Sequence, residues 1–207
     1  MEVIHTIFKY AKELIPLRLN RVQYITLHHT ESTDTDPEEI HRWHLANGWS
    51  GFGYNEYIRK DGRVYIGRGD FIGAHTKNNN SISYGIAVEG NYDTEVVMPK
   101  QQFNSLVERV KFHQARFPKA IVSPHKELTP TSCPGKYFPI RELLTSTVHH
   151  DEVQEHWADK VYNELTKDFG LTIHEKRFDD SVTRGESMAL LLQLGKSLKF
   201  YIDNTIR

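Results

Sequence analysis

The sequence predicts an α/β fold in which a central mixed sheet is flanked by helices, and two kinds of segment indicate it. Short runs rich in β-branched and aromatic residues, typical of strands, occur at 22–28, 54–59, 63–67 and 84–89. Longer segments between and after them carry apolar residues at helical spacing. Strands and helices in this order indicate a sheet with helices packed on it.

The first helix is predicted directly after the first strand. The segment 35–39, Thr-Asp-Pro-Glu-Glu, combines a capping residue, a proline in the first turn and acidic side chains at the positive end of the helix dipole. Ile40, Trp43 and His44 then share one face of the helix. Gly48 ends it.

A hairpin and a second helix follow. The Asp61-Gly62 pair separates two strand-like runs and is a typical hairpin turn. Pro99 begins a long amphipathic helix. A short strand at 121–122 then leads into a proline-bounded loop at 123–135. The apolar residues at helical spacing in the long helix are Phe103, Leu106, Val107, Val110 and Phe117.

Composition narrows the class of protein. The 207 residues suffice for one ordinary domain and a small second one. With 26 Lys+Arg against 27 Asp+Glu and no basic stripe, we expect no nucleic-acid partner. No apolar run approaches the roughly 20 residues that span a bilayer. Segment 1–17 lacks the apolar core and cleavage site of a signal peptide, so we expect a protein that stays in the cytoplasm until it is released to the cell wall, or one exported by another route. We also expect a monomer.

A polar stretch at 146–151 has the character of a linker. It predicts a first domain over 1–147 and a small helical module over 152–207. Two helices are expected in that module. Thr183 and Glu186 have the spacing of a capping box for the second of them.

Two histidines and the single cysteine form a candidate metal site. His28 ends the first strand, and His125 and Cys133 follow as His-x7-Cys in the proline-bounded loop. Two imidazoles and a thiolate suit zinc, and three protein ligands leave a fourth position open for water, as in catalytic sites. The spacing matches no short zinc-finger signature, so a buried thiol under a turn at 134–135 is the alternative for Cys133.

Four longer stretches carry a resemblance to a known family. They read YITLHHT (24–30), WHLANGWSGFGYNEYIRKDGRVYIGRG (43–69), GAHTKNNNSISYGIAVEGNY (73–92) and PHKELTPTSCPG (124–135). In order and spacing they resemble the peptidoglycan-recognition proteins and the phage lysozyme-type N-acetylmuramoyl-L-alanine amidases. The resemblance implies a mixed, mostly parallel sheet, a zinc ion at the floor of an open groove, and peptidoglycan as substrate. It further implies that the bond cut is the one that joins the muramic acid lactyl group to the first L-alanine of the stem peptide.

The resemblance also implies roles for single residues. His28, His125 and Cys133 match the three ligands of a Zn²⁺ cofactor. Tyr54 matches the catalytic tyrosine, whose phenol can hydrogen-bond the attacking water or the developing oxyanion; without the resemblance it is a core tyrosine. Thr131 stands where active relatives carry Lys or Thr, and its hydroxyl can donate to the substrate carbonyl; the alternative is a turn threonine that bonds its own backbone. Recognition proteins that do not cut typically lack the cysteine, so Cys133 favours an enzyme.

Five further residues match positions in the substrate groove. His75 and Asn80 match positions that contact the muramyl-peptide. Asn55, Arg68 and Trp43 are weaker matches, and Trp43 is equally explained as a core residue on its helix face.

Two residues beside the site have open roles. Glu56 departs from the family, which has an apolar or aromatic residue there. It is either an auxiliary base near zinc or an exposed strand residue, and the second is favoured. His29 is expected to point away from the metal. It is expected either to pack in the protein interior or to contact one of the side chains that bind the metal.

The stretch 156–194 resembles a single S-layer-homology repeat, a unit that usually binds cell-wall polymers in sets of three. The alternative is a helical hairpin whose apolar residues, Leu191 among them, close a small core. The leading hypothesis is therefore an endolysin with a wall-binding tail. Its rivals are a recognition module that binds muramyl-peptides without cutting them, and a cytoplasmic amidase for recycled muropeptides.

Overall fold

The computed structural model describes residues 1–147, 191–192 and 195–196. By its contacts the chain divides into two units, Met1–Val148 and His149–Arg207. Residues 191–192 and 195–196 are helical, and the Leu191 side chain is 66% exposed. The rest of the S-layer-like stretch lies outside the described residues.

Six strands form one sheet in the first unit. They are β1 (Val3–His5), β2 (Tyr24–His29), β3 (Glu56–Ile58), β4 (Val64–Ile66), β5 (Ser83–Val88) and β6 (Ile121–Pro124). The spatial order is β1-β4-β3-β5-β2-β6. All neighbouring pairs are parallel except the β3–β4 hairpin. The prediction of a mixed, mostly parallel sheet flanked by helices is confirmed.

The α-helices within residues 1–147 are α1 (Pro37–Ala46), α2 (Lys100–Arg116) and α3 (Ile140–Thr147). Helix α1 begins as predicted, because the Asp36 carboxylate accepts a hydrogen bond from the Glu39 N–H at 2.7 Å. None of the helices among the described residues is long and apolar enough to cross a membrane.

Strand β2, which lies between β5 and β6, separates two layers of the core. Because side chains alternate along a strand, Ile25 and Leu27 point to one face and His28 to the other. Ile25 and Leu27 pack in the larger core cluster with Leu106 and Val110 of α2. His28 is paired in register with Ala87, which belongs to the smaller cluster around Ile40 and Phe52. The candidate metal ligand therefore lies on the α1 side of the sheet.

Two elements and one helix face differ from the sequence predictions. The sequence did not predict strand β1, which has three residues, or helix α3, which has eight. Neither is long enough to show a clear periodic pattern. In α1, Ile40 and His44 are buried as expected, but Trp43 is 42% exposed. The expectation of one shared face was wrong for Trp43, because His41 takes the buried position instead.

Candidate active site

The three predicted metal ligands converge at one edge of the sheet. His28 lies at the end of β2, His125 directly follows the neighbouring parallel strand β6, and Cys133 returns in the next loop. Their ligand atoms all lie within 4.8 Å of one another. Parallel strands bring their carboxyl ends to the same edge, which explains why residues about a hundred positions apart meet there.

The His28 ring has a defined orientation within this cluster. Its Nδ1 atom lies 3.7 Å from the Cys133 sulfur, and its Nε2 atom lies 3.0 Å from Nδ1 of His75. The centroids of the His28 and His125 rings are 4.4 Å apart. Nδ1 is therefore the His28 atom that faces the Cys133 sulfur.

Backbone hydrogen bonds hold the loop that carries the thiol. The Lys126 N–H donates to the Cys133 carbonyl at 2.9 Å, and the Cys133 N–H donates to the Thr131 hydroxyl oxygen at 3.2 Å. Gly135 has φ 98°, and a side chain there would collide with the Tyr92 backbone. Thr131 itself is exposed, and its hydroxyl keeps a proton that it can donate to a ligand.

Burial sets the protonation of the cluster. It lowers the pKa of His28 well below its ordinary value, with help from the neighbouring His75 and His125, and it lowers the pKa of His125 as well. Both imidazoles are therefore neutral and offer lone pairs. Burial also raises the pKa of the Cys133 thiol to about 12. Such a thiol ionises only beside a positive charge, which a metal ion supplies.

Tyr54 lies beside the cluster at the entrance to β3. Its ring centroid is 5.3 Å from that of His28, and the side chain is half-buried. The Arg68 N–H donates to the Tyr54 carbonyl at 3.0 Å and fixes the backbone there. Burial raises the pKa of Tyr54 above its ordinary value, so the phenol keeps its proton and can act as a hydrogen-bond donor.

Comparison with known proteins identifies the family of this chain. A family model described as N-acetylmuramoyl-L-alanine amidase matches residues 18–136. The chain belongs to this family. It is 34% identical over 122 residues to the endolysin of Enterobacteria phage K11, an alignment that covers 55% of this chain and 81% of that one.

Other members of the family are similar in sequence and structure. Peptidoglycan-recognition protein SC2 of Drosophila melanogaster is 34% identical over 132 residues, covering 56% of this chain and 70% of that protein. The endolysin amidase LysCS from Clostridium intestinale URNW superposes with a TM-score of 0.65 at 32% identity, covering 70% of this chain and 93% of that chain.

His75 and Asn80, predicted to contact substrate, make inward contacts in this amidase. His75 is 8% exposed, and its Nδ1 atom lies beside His28. The Asn80 side-chain oxygen accepts hydrogen bonds from the N–H groups of His75 and Thr76, at 2.9 and 2.8 Å. Asn80 thus holds the loop that presents His75 to the metal ligand. The predicted contacts with the muramyl-peptide remain predictions.

Asn55 is a correction to the sequence analysis. It is fully buried, and its amide nitrogen donates to the carbonyls of Gly69 and Phe71 at 2.7 and 2.8 Å. Its oxygen accepts the Gly85 N–H at 2.8 Å. With both ends of the amide bonded to backbone, Asn55 ties the loop after β4 to β5 and has no free face for a substrate.

Arg68 and Trp43 lie in contrasting places. Arg68 is 7% exposed, and its guanidinium donates to the carbonyls of Phe52 and Ile72 at 2.7 and 2.8 Å. These bonds fix the segment before Tyr54, so Arg68 supports the site from inside. Trp43 is exposed on α1 and is free to meet a ligand from solvent.

Both expectations for Glu56 were wrong. Its side chain is neither exposed nor beside the metal ligands, because it points to the α2 side of the sheet and is fully buried. It accepts hydrogen bonds from Arg109 Nε at 2.8 Å and from the Tyr84 hydroxyl at 3.0 Å, and it lies 2.7 Å from His113 Nε2. The signal that could have revealed these partners is the i, i+4 spacing of Arg109 and His113 on the buried face of α2.

His29 points away from the first cluster, as expected, and lies near Glu31 and Asp93. These three residues are close enough to hold a metal, but their hydrogen bonds oppose it. The Tyr92 N–H donates to His29 Nδ1 at 3.1 Å, so the proton of the neutral ring sits on Nε2. Nε2 therefore presents N–H towards Glu31 Oε1, 3.5 Å away, and has no lone pair for a metal.

Proposed function

We propose that the chain is a zinc-dependent endolysin that hydrolyses the amide bond between the muramic acid lactyl group and the first L-alanine of the stem peptide. The observation that carries this proposal is the convergence of His28, His125 and Cys133 beside Tyr54, in a chain that belongs to the amidase family. A recognition module needs only a groove to bind its ligand. Three metal ligands beside a tyrosine are the groups that a metal-dependent hydrolase requires.

Zinc is the cofactor that fits these ligands. Two neutral imidazole nitrogens and one sulfur lie within 4.8 Å of one another, and this mixture of borderline and soft donors suits zinc better than magnesium or calcium. The donor set has three members, which leaves a coordination position open. Zinc bound there supplies Lewis acidity for a water molecule and for the scissile carbonyl.

Tyr54 and Thr131 are the residues that we assign to the reacting amide. The protonated Tyr54 phenol donates its hydrogen bond to the carbonyl oxygen as negative charge develops on it. Thr131 is exposed on the loop of the third ligand and donates from its hydroxyl to the same oxygen. Neither group carries charge in the ground state, so each interaction strengthens as the oxyanion forms.

The similarity to endolysins supports intact peptidoglycan as the substrate. The endolysins of Enterobacteria phage K11 and Clostridium intestinale URNW are among the relatives most similar to this chain. We further propose a monomeric enzyme that acts on the wall after release from the cytoplasm. A wall-binding role for 152–207 is part of the proposal and rests on the sequence resemblance alone.

Digestion of purified peptidoglycan followed by mass analysis of the products tests the function. Cleavage at the proposed bond releases stem peptides that begin with a free alanine amine and leaves the glycan strands uncut. Addition of a chelator should stop the reaction, and zinc should restore it. Binding to the wall without released peptide would identify a recognition module. Cleavage of soluble muropeptides but never of walls would identify a recycling enzyme.

A further inference from the structure

The contact between the metal ligand His28 and the neighbouring His75 has no role in the function described so far. His75 Nδ1 lies 3.0 Å from Nε2 of His28, and both side chains are buried. We propose that His75 is a positioning residue, which accepts the Nε2–H of His28 and so holds His28 in the tautomer that binds the metal through Nδ1. The inference rests on the proposed metal site and deepens it.

The required tautomer follows from the geometry of His28. Its Nδ1 atom faces the Cys133 sulfur at 3.7 Å, so Nδ1 must offer a lone pair when a metal is held there. A neutral imidazole carries one proton, which must then sit on Nε2. The nearest partner of that N–H is His75 Nδ1, which must therefore be the acceptor.

The Thr76 hydroxyl lies 2.9 Å from the same His75 nitrogen. A hydroxyl rotates and both donates and accepts, so it adapts to either tautomer of His75 and does not determine the choice. The metal decides the tautomer of His28, and His28 decides that of His75. Metal-bound histidines usually donate their second N–H to a carboxylate, a carbonyl or water; here a second imidazole takes that part.

His75 is held in place by a closely fitted surrounding. Its ring lies against Gly85 of β5, where a Cβ atom would come 2.6 Å from His75 Cγ, and against Gly73, where a Cβ would also collide with the ring. Asn80 fixes the His75 backbone through two hydrogen bonds. Because both glycines leave room for the flat imidazole, the Nδ1 atom is presented to His28 in one orientation.

The expected cost of losing this acceptor falls on metal affinity. Without His75 Nδ1 the buried N–H of His28 has no partner, and the other tautomer, which cannot bind the metal through Nδ1, becomes competitive. Removing an outer hydrogen-bond partner of a metal-bound histidine typically weakens metal binding by about 10- to 100-fold.

The test measures zinc affinity in the full-length chain by competition with a chromophoric chelator. His75→Leu removes the acceptor and should weaken zinc binding by about 10- to 100-fold. His75→Asn should restore most of it, because the Asn oxygen occupies nearly the position of Nδ1. The matched control is His41→Leu: His41 is also 8% exposed and also accepts at Nδ1, from the Phe52 N–H, but it touches no ligand. It should leave zinc affinity unchanged.

A second measurement follows the tautomer directly. Nitrogen-15 NMR of the zinc-loaded protein should show His28 protonated at Nε2 and His75 at the same atom. Unchanged affinity in folded His75→Leu, or a His75 proton on Nδ1, would overturn the inference while leaving the metal site intact. A wild-type chain that binds no zinc would instead overturn the proposed function. If His75→Leu does not fold, the comparison of His75→Asn with wild type and the tautomer measurement still decide the matter.

Discussion

The Nδ1 atom of His28 and the sulfur of Cys133 lie 3.7 Å apart although 105 positions separate them in the sequence. The first sits near the end of strand β2, and the second lies on a loop that backbone hydrogen bonds hold in place. Both side chains are buried, so water has little access to either atom. The pair is the core of the proposed metal site, and the following predictions begin there.

Cys133→Ser should lose the bound zinc. Removing one of three protein ligands, and the only thiolate, leaves too few donors for tight binding. Metal analysis of the purified variant measures this directly. Ser132→Ala is the matched control, since Ser132 precedes the ligand and bonds to Asp93 instead. One equivalent of zinc in Cys133→Ser would contradict the assignment.

Tyr54→Phe should keep both the zinc and the fold but lose about 100-fold in rate, because the phenol is assigned to the transition state and not to the metal. Turnover of a soluble muramyl-peptide measures the effect. Tyr65→Phe, on the neighbouring strand β4, is the control and should retain activity. Near-normal turnover of Tyr54→Phe would make Tyr54 a packing residue.

Glu56→Ala should destabilise the fold without affecting the chemistry. It leaves the buried Arg109 without its carboxylate, and breaking a buried ion pair from one side typically costs about 3–5 kcal/mol. Urea unfolding measures the loss. Asp61→Asn weakens the exposed pair with Arg63 and should change the unfolding free energy far less, because water screens that pair. Equal effects of the two variants would contradict this account of the network.

The same carboxylate predicts a pH dependence of stability. Burial by itself raises the pKa of Glu56, but hydrogen bonds from His113 and Arg109 outweigh it and hold the pKa at about 2, below the ordinary value of 4.5. Because the pKa of Glu56 is lower in the folded than in the unfolded state, its carboxylate stabilises the fold at pH values above the unfolded pKa. This stabilisation is lost as the pH falls through the folded pKa.

The difference in unfolding free energy between wild type and Glu56→Gln should therefore shrink as the pH falls from about 5 towards 2. Urea titrations across that range measure it. A difference that stays constant with pH would show that Glu56 does not titrate in this window.

A chain that ends at residue 147 should still cleave small soluble muramyl-peptides at nearly the full rate, because every proposed ligand and groove residue precedes that point. If 152–207 binds wall polymers, the same truncation should act much more slowly on intact walls, since it loses the effective concentration that tethering provides. Loss of activity on the soluble substrate would mean that the tail supports the fold. Equal activity on both substrates would leave the tail without a wall-binding role.

Local chemistry was enough to predict much of this protein from its sequence. The β-branched run that became β2, the cap and proline that begin α1, and the Asp-Gly pair of the hairpin each act within a few residues, so the chain shows them directly. The three metal ligands were also identified, through the spacing of matching stretches. In the structure their ligand atoms lie within 4.8 Å of one another.

Tertiary structure alone decided the direction of the polar side chains. The sequence places Glu56 in a half-buried strand but does not show its partner. That partner is Arg109, which is 53 positions away and donates a hydrogen bond to the Glu56 carboxylate. Asn55 and His75 match positions of the family's substrate groove. In the structure, Asn55 bonds to backbone carbonyls and His75 lies within hydrogen-bond distance of His28. A buried polar group must find a partner, and that partner is determined by what packs against it and not by its neighbours in the chain.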